Sequence, residues 1–408
     1  MSELALLGGS KTKGKPFPQW PHYDETERTL LLEVLDSRKW WRTEGTKTRQ
    51  FEQDFAAYHG AKHGIAITNG THAIEVTLAA VGIQPGDEVI VPDSTFVATA
   101  SAVLFAGALP VLVDVEGDSF NLDPDAVEAA ITDKTKAIIA VHMGGMAADM
   151  DRLLALAERH NLALIEDSAH AHGSEWRGRK IGALGRAGTF SFQSSKTITA
   201  GEGGMIISND DAFERAARST HDCGRLPGEW FYSHFNYGSN YRLSEWQGAI
   251  LLAQMTRLDE QTACRDRNGR LLDRLLADVE GITPQRRRSE NTRNGHYAYI
   301  VHYDQSKFAN VPAKRFIEAL KAEGIPNQAS YPPLHALDVF KSGAYRTRLS
   351  GEQRTQTHTF LEQSFPNAVR AFAETIWVPQ YALLGDEEDM HEIAQAFQKI
   401  QRLACELA

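Results

Sequence analysis

Between residues 50 and 210 the chain repeatedly sets four or five consecutive apolar residues ahead of an amphipathic stretch, as in "EVIVP", "AIIAV" and "LALIED". A strand with one face in water alternates apolar and polar residues, whereas an unbroken apolar run needs cover on both faces. Helices alternating with strands provide that cover. The pattern therefore predicts an α/β domain built on a mostly parallel sheet. "FEQDFAAYHG" reads as a helix stopped by Gly60, and "HGIAITNGTHAIEVTLAAVG" as a strand, a turn and a helix. Further strands are expected in "GDEVIVPDSTF", "LPVLVDVE", "TKAIIAVHMGG", "HNLALIEDSAHAHG", "GTFSFQSSK" and "GGMIISND".

The pattern then changes. A long helical stretch, "SEWQGAILLAQMTRLDEQTACRDRNGRLLDRLLADV", leads to a strand in "HYAYIVHYD", a helix in "PAKRFIEALKAEGIP", a strand in "ETIWVPQYALLG" and a closing helix. This predicts a large domain over 21–264 and a smaller α+β domain over 265–408. Residues 1–20 form an arm lying on the surface or on a partner subunit. The 408 residues suffice for two such cores. A formal net charge of −10 disfavours an electrostatic grip on nucleic acid or anionic membrane. Arg286–Arg288 reads as a solvated face. Cys223, Cys264 and Cys405 are far apart, giving neither a zinc spacing nor a disulfide framework, as in a reducing cytoplasm. No apolar run is long enough to span a bilayer.

In open α/β sheets ligands gather outside the carboxyl ends of the strands, so the residues following each strand are informative. After "GIAIT" stands Asn69-Gly70-Thr71 at the start of a helix, which is either a plain cap or an anion site. After "VIVP" stands Phe96, fit either for core packing or for stacking on a planar ring. After "LALI" come Glu166 and Asp167, then His170 and His172. A metal bound by Asp167 and these histidines lacks a convincing further ligand, and no metal is expected. After "GTFSF" comes Lys196, a rare kind of residue to place between "SFQSS" and "TAGEGG". A desolvated lysine loses basicity and becomes a nucleophilic amine able to form a Schiff base. Pyridoxal phosphate calls for such a lysine, a carboxylate for its ring nitrogen, an aromatic face and a helix N-terminus for its phosphate. All four stand at predicted strand ends.

The motifs "TNGTHA", "GDEVIVPDSTFVATASAV", "KTKAIIAVHMGG", "IEDSAHAHGS", "FSFQSSKTITAGEGG" and "GSNYRLSEWQGAIL" resemble the DegT/DnrJ/EryC1/StrS family of pyridoxal-phosphate aminotransferases over most of residues 15–400. Within it, "KWWRTEG", "VHMGGMAADMD" and "HDCGR" look most like the 3-amino-5-hydroxybenzoate synthases, with the scyllo-inosose aminotransferases close behind. The resemblance implies the type I aminotransferase fold, a homodimer with active sites at the interface, and pyridoxal 5′-phosphate as cofactor. It casts Lys196 as the lysine bonded to the cofactor and as proton shuttle, and Asp167 as partner of the pyridine nitrogen. Phe96 would stack on the ring, and His170 would stand near its 3′-oxygen. Gly70, Thr71 and Ser191 would hold the phosphate, joined by Asn240 toward the neighbouring subunit. Trp41, Arg42, Arg242, Tyr331 and His335 are implied as substrate contacts. Gln380 stands where many sugar aminotransferases carry histidine. The expected reaction moves an amino group from L-glutamate or L-glutamine to a ketone on a sugar, cyclitol or related ring. Aromatising dehydration of an aminodehydroshikimate is the alternative, and a non-enzymatic regulator finds no DNA-binding motif to support it.

Overall fold

The computed structural model describes residues 3–355 and 363–408. Seven strands form the large sheet: β1 (His63–Ile67), β2 (Glu88–Pro92), β3 (Leu109–Val113), β4 (Thr135–Val141), β5 (Ala163–Asp167), β8 (Ala187–Ser191) and β9 (Gly204–Ser208). A two-stranded hairpin, β6 (Glu175–Trp176) with β7 (Arg179–Lys180), lies between β5 and β8 in the chain. The spatial order is β1-β9-β8-β5-β4-β2-β3. Six strands share one direction, and β9 alone runs against its neighbours β1 and β8.

The unbroken apolar strands are covered on both sides. In β2, Val89 and Val91 enter one core with Leu112, Ile139 and Ile165. Ile90 enters another with Ile138, Leu164 and the helix residues Leu153 and Leu156. Successive side chains point to opposite faces, so a strand buried on both faces is apolar throughout. Side chains that cap helix starts close the connections: Asn69 for Gly70–Ala80, Asp149 for Met150–Arg159 and Asp210 for Asp211–His221.

Helix Glu245–Leu275 opens with a capping box between Ser244 and Gln247. Its Leu251 and Leu258 pack beside the large sheet and its Leu272 in the core of a second sheet. That second sheet is antiparallel, ordered β10 (Ile282–Pro284), β11 (Ala298–Tyr303), β13 (Thr375–Pro379) and β12 (Gln328–Ala329). Tyr299, Val301, Ile376 and Val378 meet helices Ala313–Ala322 and Glu387–Arg402 through Phe316, Leu320, Ile393 and Phe397. The alternate residues Ala298, Ile300 and Trp377 pack with Val141 at the carboxyl end of β4. The second sheet is thereby seated on the edge where the large sheet's strands end. Two further segments cross over. Leu4, near the start of the chain, is buried in the second core, and Leu334, Phe340, Tyr345 and Leu349 join a core of the large sheet. Among the described residues, no helix is long and apolar enough to cross a membrane.

Candidate active site

A cavity of about 910 Å³ opens at the carboxyl ends of β1, β5 and β8. Its walls carry Gly70, Thr71, Phe96, Asp167, His170, Ser191, Lys196 and Tyr331, which the sequence placed at separate strand ends and loops. Asp167 is the last residue of β5, and strand alternation sends it and Glu166 to opposite faces. Glu166 is taken up by the N–H groups of Gly182, Leu184 and Gly185 at 2.8, 2.8 and 2.7 Å, so only Asp167 faces the cavity. Asp167 accepts from Thr99 Oγ1 at 3.0 Å. Burial raises its carboxyl above the ordinary range, opposed by Thr99, the Ala169 N–H and the charge of Lys196.

Lys196 is 9% exposed. Burial lowers its amine from 10.5 to about 8, against the attraction of Asp167. Its Nζ stands 4.3 Å from the centre of the Tyr297 ring. No hydrogen bond to the amine is present among the described residues, and the amine becomes a neutral nucleophile facing the cavity as pH rises through about 8. His170 is buried and stacked on Tyr297, with ring centres 3.9 Å apart and planes 13° from parallel. Burial first, then the charges of Lys196 and His172, hold its imidazole well below its ordinary value, and the ring is neutral. His172 turns elsewhere, with Nε2 3.0 Å from the Ser191 carbonyl. Among the described residues no group of three or more metal-ligating side chains forms.

The helix Gly70–Ala80 points its N-terminus at the cavity. Asn69 Oδ1 accepts the His72 N–H at 2.8 Å, while the Gly70 and Thr71 N–H groups precede the first intrahelical bond and remain for a ligand. A Cβ on Gly70 would stand 2.9 Å from Ser191 Cβ, so glycine lets this helix end close onto β8. Phe96 is 53% exposed at the cavity wall, with the Tyr331 ring tilted beside it at 5.8 Å. Pyridoxal phosphate fits these groups: a free amine, a buried carboxylate, an open aromatic face and unspent N–H donors beside a hydroxyl.

Four residues expected as substrate contacts do not line this cavity, nor does Asn240, which is expected to reach toward the neighbouring subunit's phosphate. Arg42 is held by Glu52, its Nε and Nη2 donating to the two carboxylate oxygens at 2.9 and 2.6 Å. Glu52 is itself buried and also accepts from Arg218 and from the Ala66 N–H. Arg42 therefore answers a buried charge. Trp41 meets Phe231 edge-on at 6.1 Å. Arg242 lies over Trp41 and is paired with Asp222. Asn240 forms a bridge to Asp222, and its Oδ1 accepts from the Arg242 N–H. His335 donates from its backbone N–H to Asp93 Oδ1 and sets Nδ1 2.6 Å from Oδ2, which pins the "YPPLH" loop to the end of β2. Gln380 is also committed, its Oε1 accepting from Nε and Nη2 of the fully buried Arg265 at 3.0 and 2.6 Å.

Several cavity residues carried no sequence signal. Thr99 was one hydroxyl among many in "STFVATASAV", and only its position one helical turn past Thr95 could have suggested it. Tyr297 lies just before β11 in the second sheet, 101 residues beyond Lys196. Glu75, Glu202 and Tyr241 complete the walls.

The geometry has solved counterparts. A crystal structure of 3-amino-5-hydroxybenzoic acid synthase superposes with a TM-score of 0.85 at 38% identity, covering 96% of this chain and all of that one. The 3-amino-5-hydroxybenzoate synthase of Amycolatopsis mediterranei is 39% identical over 94% of this chain and 97% of its own length. The L-glutamine:2-deoxy-scyllo-inosose aminotransferase of Streptomyces paromomycinus is 41% identical over 98% and 97%. The profile of the DegT/DnrJ/EryC1/StrS aminotransferase family matches residues 21–398. With fold, cavity and sequence in agreement, the chain belongs to the DegT/DnrJ/EryC1/StrS aminotransferase family.

Proposed function

We propose that this aminotransferase holds pyridoxal 5′-phosphate in the cavity and moves an amino group from L-glutamine or L-glutamate to a ring ketone of a cyclitol or sugar. The observation that carries the reading is the desolvated, unpartnered Lys196 amine facing the same cavity as the buried Asp167. When bound, the cofactor supplies an electron-withdrawing ring that makes the carbon next to the transferred nitrogen acidic. Lys196 would attach the cofactor and, once released by the donor amine, take up and return the proton at that carbon through Nζ. Asp167, ionised by contact with a pyridinium, would keep that ring nitrogen protonated. Phe96 would cover one face, and Gly70, Thr71 and Ser191 would bind the phosphate through two N–H groups and a hydroxyl.

The choice of acceptor is supported by the 41% identical cyclitol aminotransferase and by the wall carboxylates Glu75 and Glu202, acceptors suited to a polyhydroxylated ring. A second reading, dehydration to 3-amino-5-hydroxybenzoate, draws on the 39% identical synthase. We further propose a homodimer. Trp230, Tyr232, Phe235 and Tyr237 form an exposed aromatic run next to Phe231 and Trp41, which a second copy would cover. Asn240 and Arg242 follow this run directly in the chain.

The test adds L-glutamine, L-glutamate or L-alanine to the pyridoxal-phosphate-loaded protein and follows the absorbance of the bound cofactor. 2-Deoxy-scyllo-inosose is then supplied, and the amine product is sought by mass spectrometry. Bleaching by glutamine and an aminated cyclitol are expected. Absorbance that no donor changes, with an aromatic product from an aminodehydroshikimate, would select the second reading.

A further inference from the structure

We propose that His172 is a positioning residue that fixes the Lys196 loop against the strand carrying Asp167, its two ring nitrogens holding the two ends of the segment from Ser191 to Thr197. His172 lies in the connection that leaves β5 just past Asp167, and the segment it holds is the one that leaves β8. Its Nε2 is 3.0 Å from the Ser191 carbonyl oxygen, and its Nδ1 is 3.2 Å from Thr197 Oγ1. The partners set the direction of both bonds. A carbonyl can only accept, so the ring hydrogen sits on Nε2. A neutral ring then has a bare lone pair at Nδ1, to which the Thr197 hydroxyl donates. Neither bond faces water, since His172 and Thr197 are 0% and 2% exposed.

The ring itself is locked in place. Phe190 and Phe192, on either side of Ser191 in the chain, pack on it with ring centres 5.4 and 5.7 Å away, and Phe55 meets it edge-on at 6.4 Å. The next residue is tied as well, the Gly173 N–H donating to His59 Nε2 at 3.3 Å. Burial first, then the charges of His59 and Lys196, hold the imidazole well below its ordinary value. The ring is therefore neutral, and both bonds keep their directions through neutral and alkaline pH.

Inside the held segment the Lys196 backbone N–H closes a turn onto the Gln193 carbonyl at 2.9 Å, and the residue after it is the one His172 grips. The far side of the loop is held separately, Thr199 Oγ1 and the Ala200 N–H both donating to the Phe192 carbonyl at 2.9 and 3.2 Å. The groups facing the amine are Asp167 from β5, His170 and His172 from the connection after it, and the Tyr297 ring ahead of β11. Freed from His172, the lysine segment would admit water to the amine, whose basicity would return toward that of an exposed lysine. The consequence for cofactor binding deepens the proposed function and rests on it, whereas the seating of the amine is a property of the chain alone.

The experiment is competitive acetic anhydride labelling of Lys196 in the cofactor-free full-length protein from about pH 6 to 11, read by peptide mass spectrometry. A fluorescence titration with pyridoxal phosphate accompanies it. His172→Phe fills the ring's place and deletes both bonds. Thr197→Val deletes the Nδ1 bond alone, and so does His172→Gln, whose amide can still donate to Ser191. Wild-type labelling should rise through about pH 8. In H172F the midpoint should move up by about one pH unit or more, with cofactor affinity at least about tenfold weaker. T197V and H172Q should show smaller shifts that match each other. A purely structural role would lower Tm and leave the labelling midpoint in place, and that result in H172F would overturn the proposal. Should H172F fail to fold, T197V and H172Q decide, and an unmoved midpoint in both overturns it. Shifted midpoints in the variants of a protein that takes up no pyridoxal phosphate would defeat the proposed function and leave the positioning role standing.

Discussion

Replacing Lys196 with methionine should stabilise the cofactor-free protein while destroying its proposed chemistry. Methionine fills nearly the same volume without the amine, so the change isolates the cost of desolvating a charge. Burial lowers the amine from 10.5 to about 8. Between those values the unfolded lysine is protonated while the folded one is neutral, so the unfolded chain binds more protons and stability rises with pH. Below about pH 8 both states carry the proton, and the folded state bears the full penalty. The fall in basicity corresponds to a ceiling of about 3 kcal/mol at pH 7. That fall is already net of the attraction of Asp167, so no further deduction applies. For 408 residues this is a rise in Tm of roughly 2–4 °C. The assay is paired thermal denaturation of stripped wild type and K196M from pH 7 to 10.5. The gap should be full at pH 7, shrink above about pH 8 and close near 10.5. Equal Tm values at pH 7, or a gap that ignores pH, would show that the amine is solvated or paired, and the nucleophile argument would fall with it.

Three other perturbations probe the walls. Gly70→Val puts a Cβ 2.9 Å from Ser191 Cβ and should weaken pyridoxal phosphate at least tenfold in a fluorescence titration while leaving phosphate-free pyridoxal within about twofold. Thr99→Val removes the 3.0 Å hydrogen bond to Asp167, a bond to a charged group that contributes about 1.5–3 kcal/mol. Cofactor affinity should drop roughly tenfold or more, and the loss should ease as pH rises and ionises the carboxyl. Arg42→Ala leaves the buried Glu52 with Arg218 as its remaining guanidinium and should cost about 2–3 kcal/mol in urea denaturation. Donor and acceptor KM should not change; a raised KM at intact stability would return Arg42 to the substrate.

Much of the fold was legible because burial on both faces forces a strand to be apolar throughout. The seven strands of the large sheet fall where runs such as "EVIVP" and "AIIAV" lie. The reversed direction of β9 was not legible, since "GGMIIS" is apolar whichever way it runs between β1 and β8. Nor were β6, β7 and β12, because two residues carry no periodicity. Trp41, Arg42, Arg242 and His335 were plausible ligand contacts as residue types, but their partners Phe231, Glu52, Asp222 and Asp93 lie 10 to 242 residues away in sequence.

The sequence by itself determined the layered α/β sheet and set Asp167, Ser191 and Lys196 at or just past strand ends, where connections leave the sheet and ligands gather. Only the tertiary structure decided what surrounds them. Tyr297 and Tyr331 reach the cavity because the second sheet is seated on the end of β4. The depressed basicity of Lys196 depends on that closure. Desolvation is a property of an enclosed volume, and no local stretch of sequence encloses one.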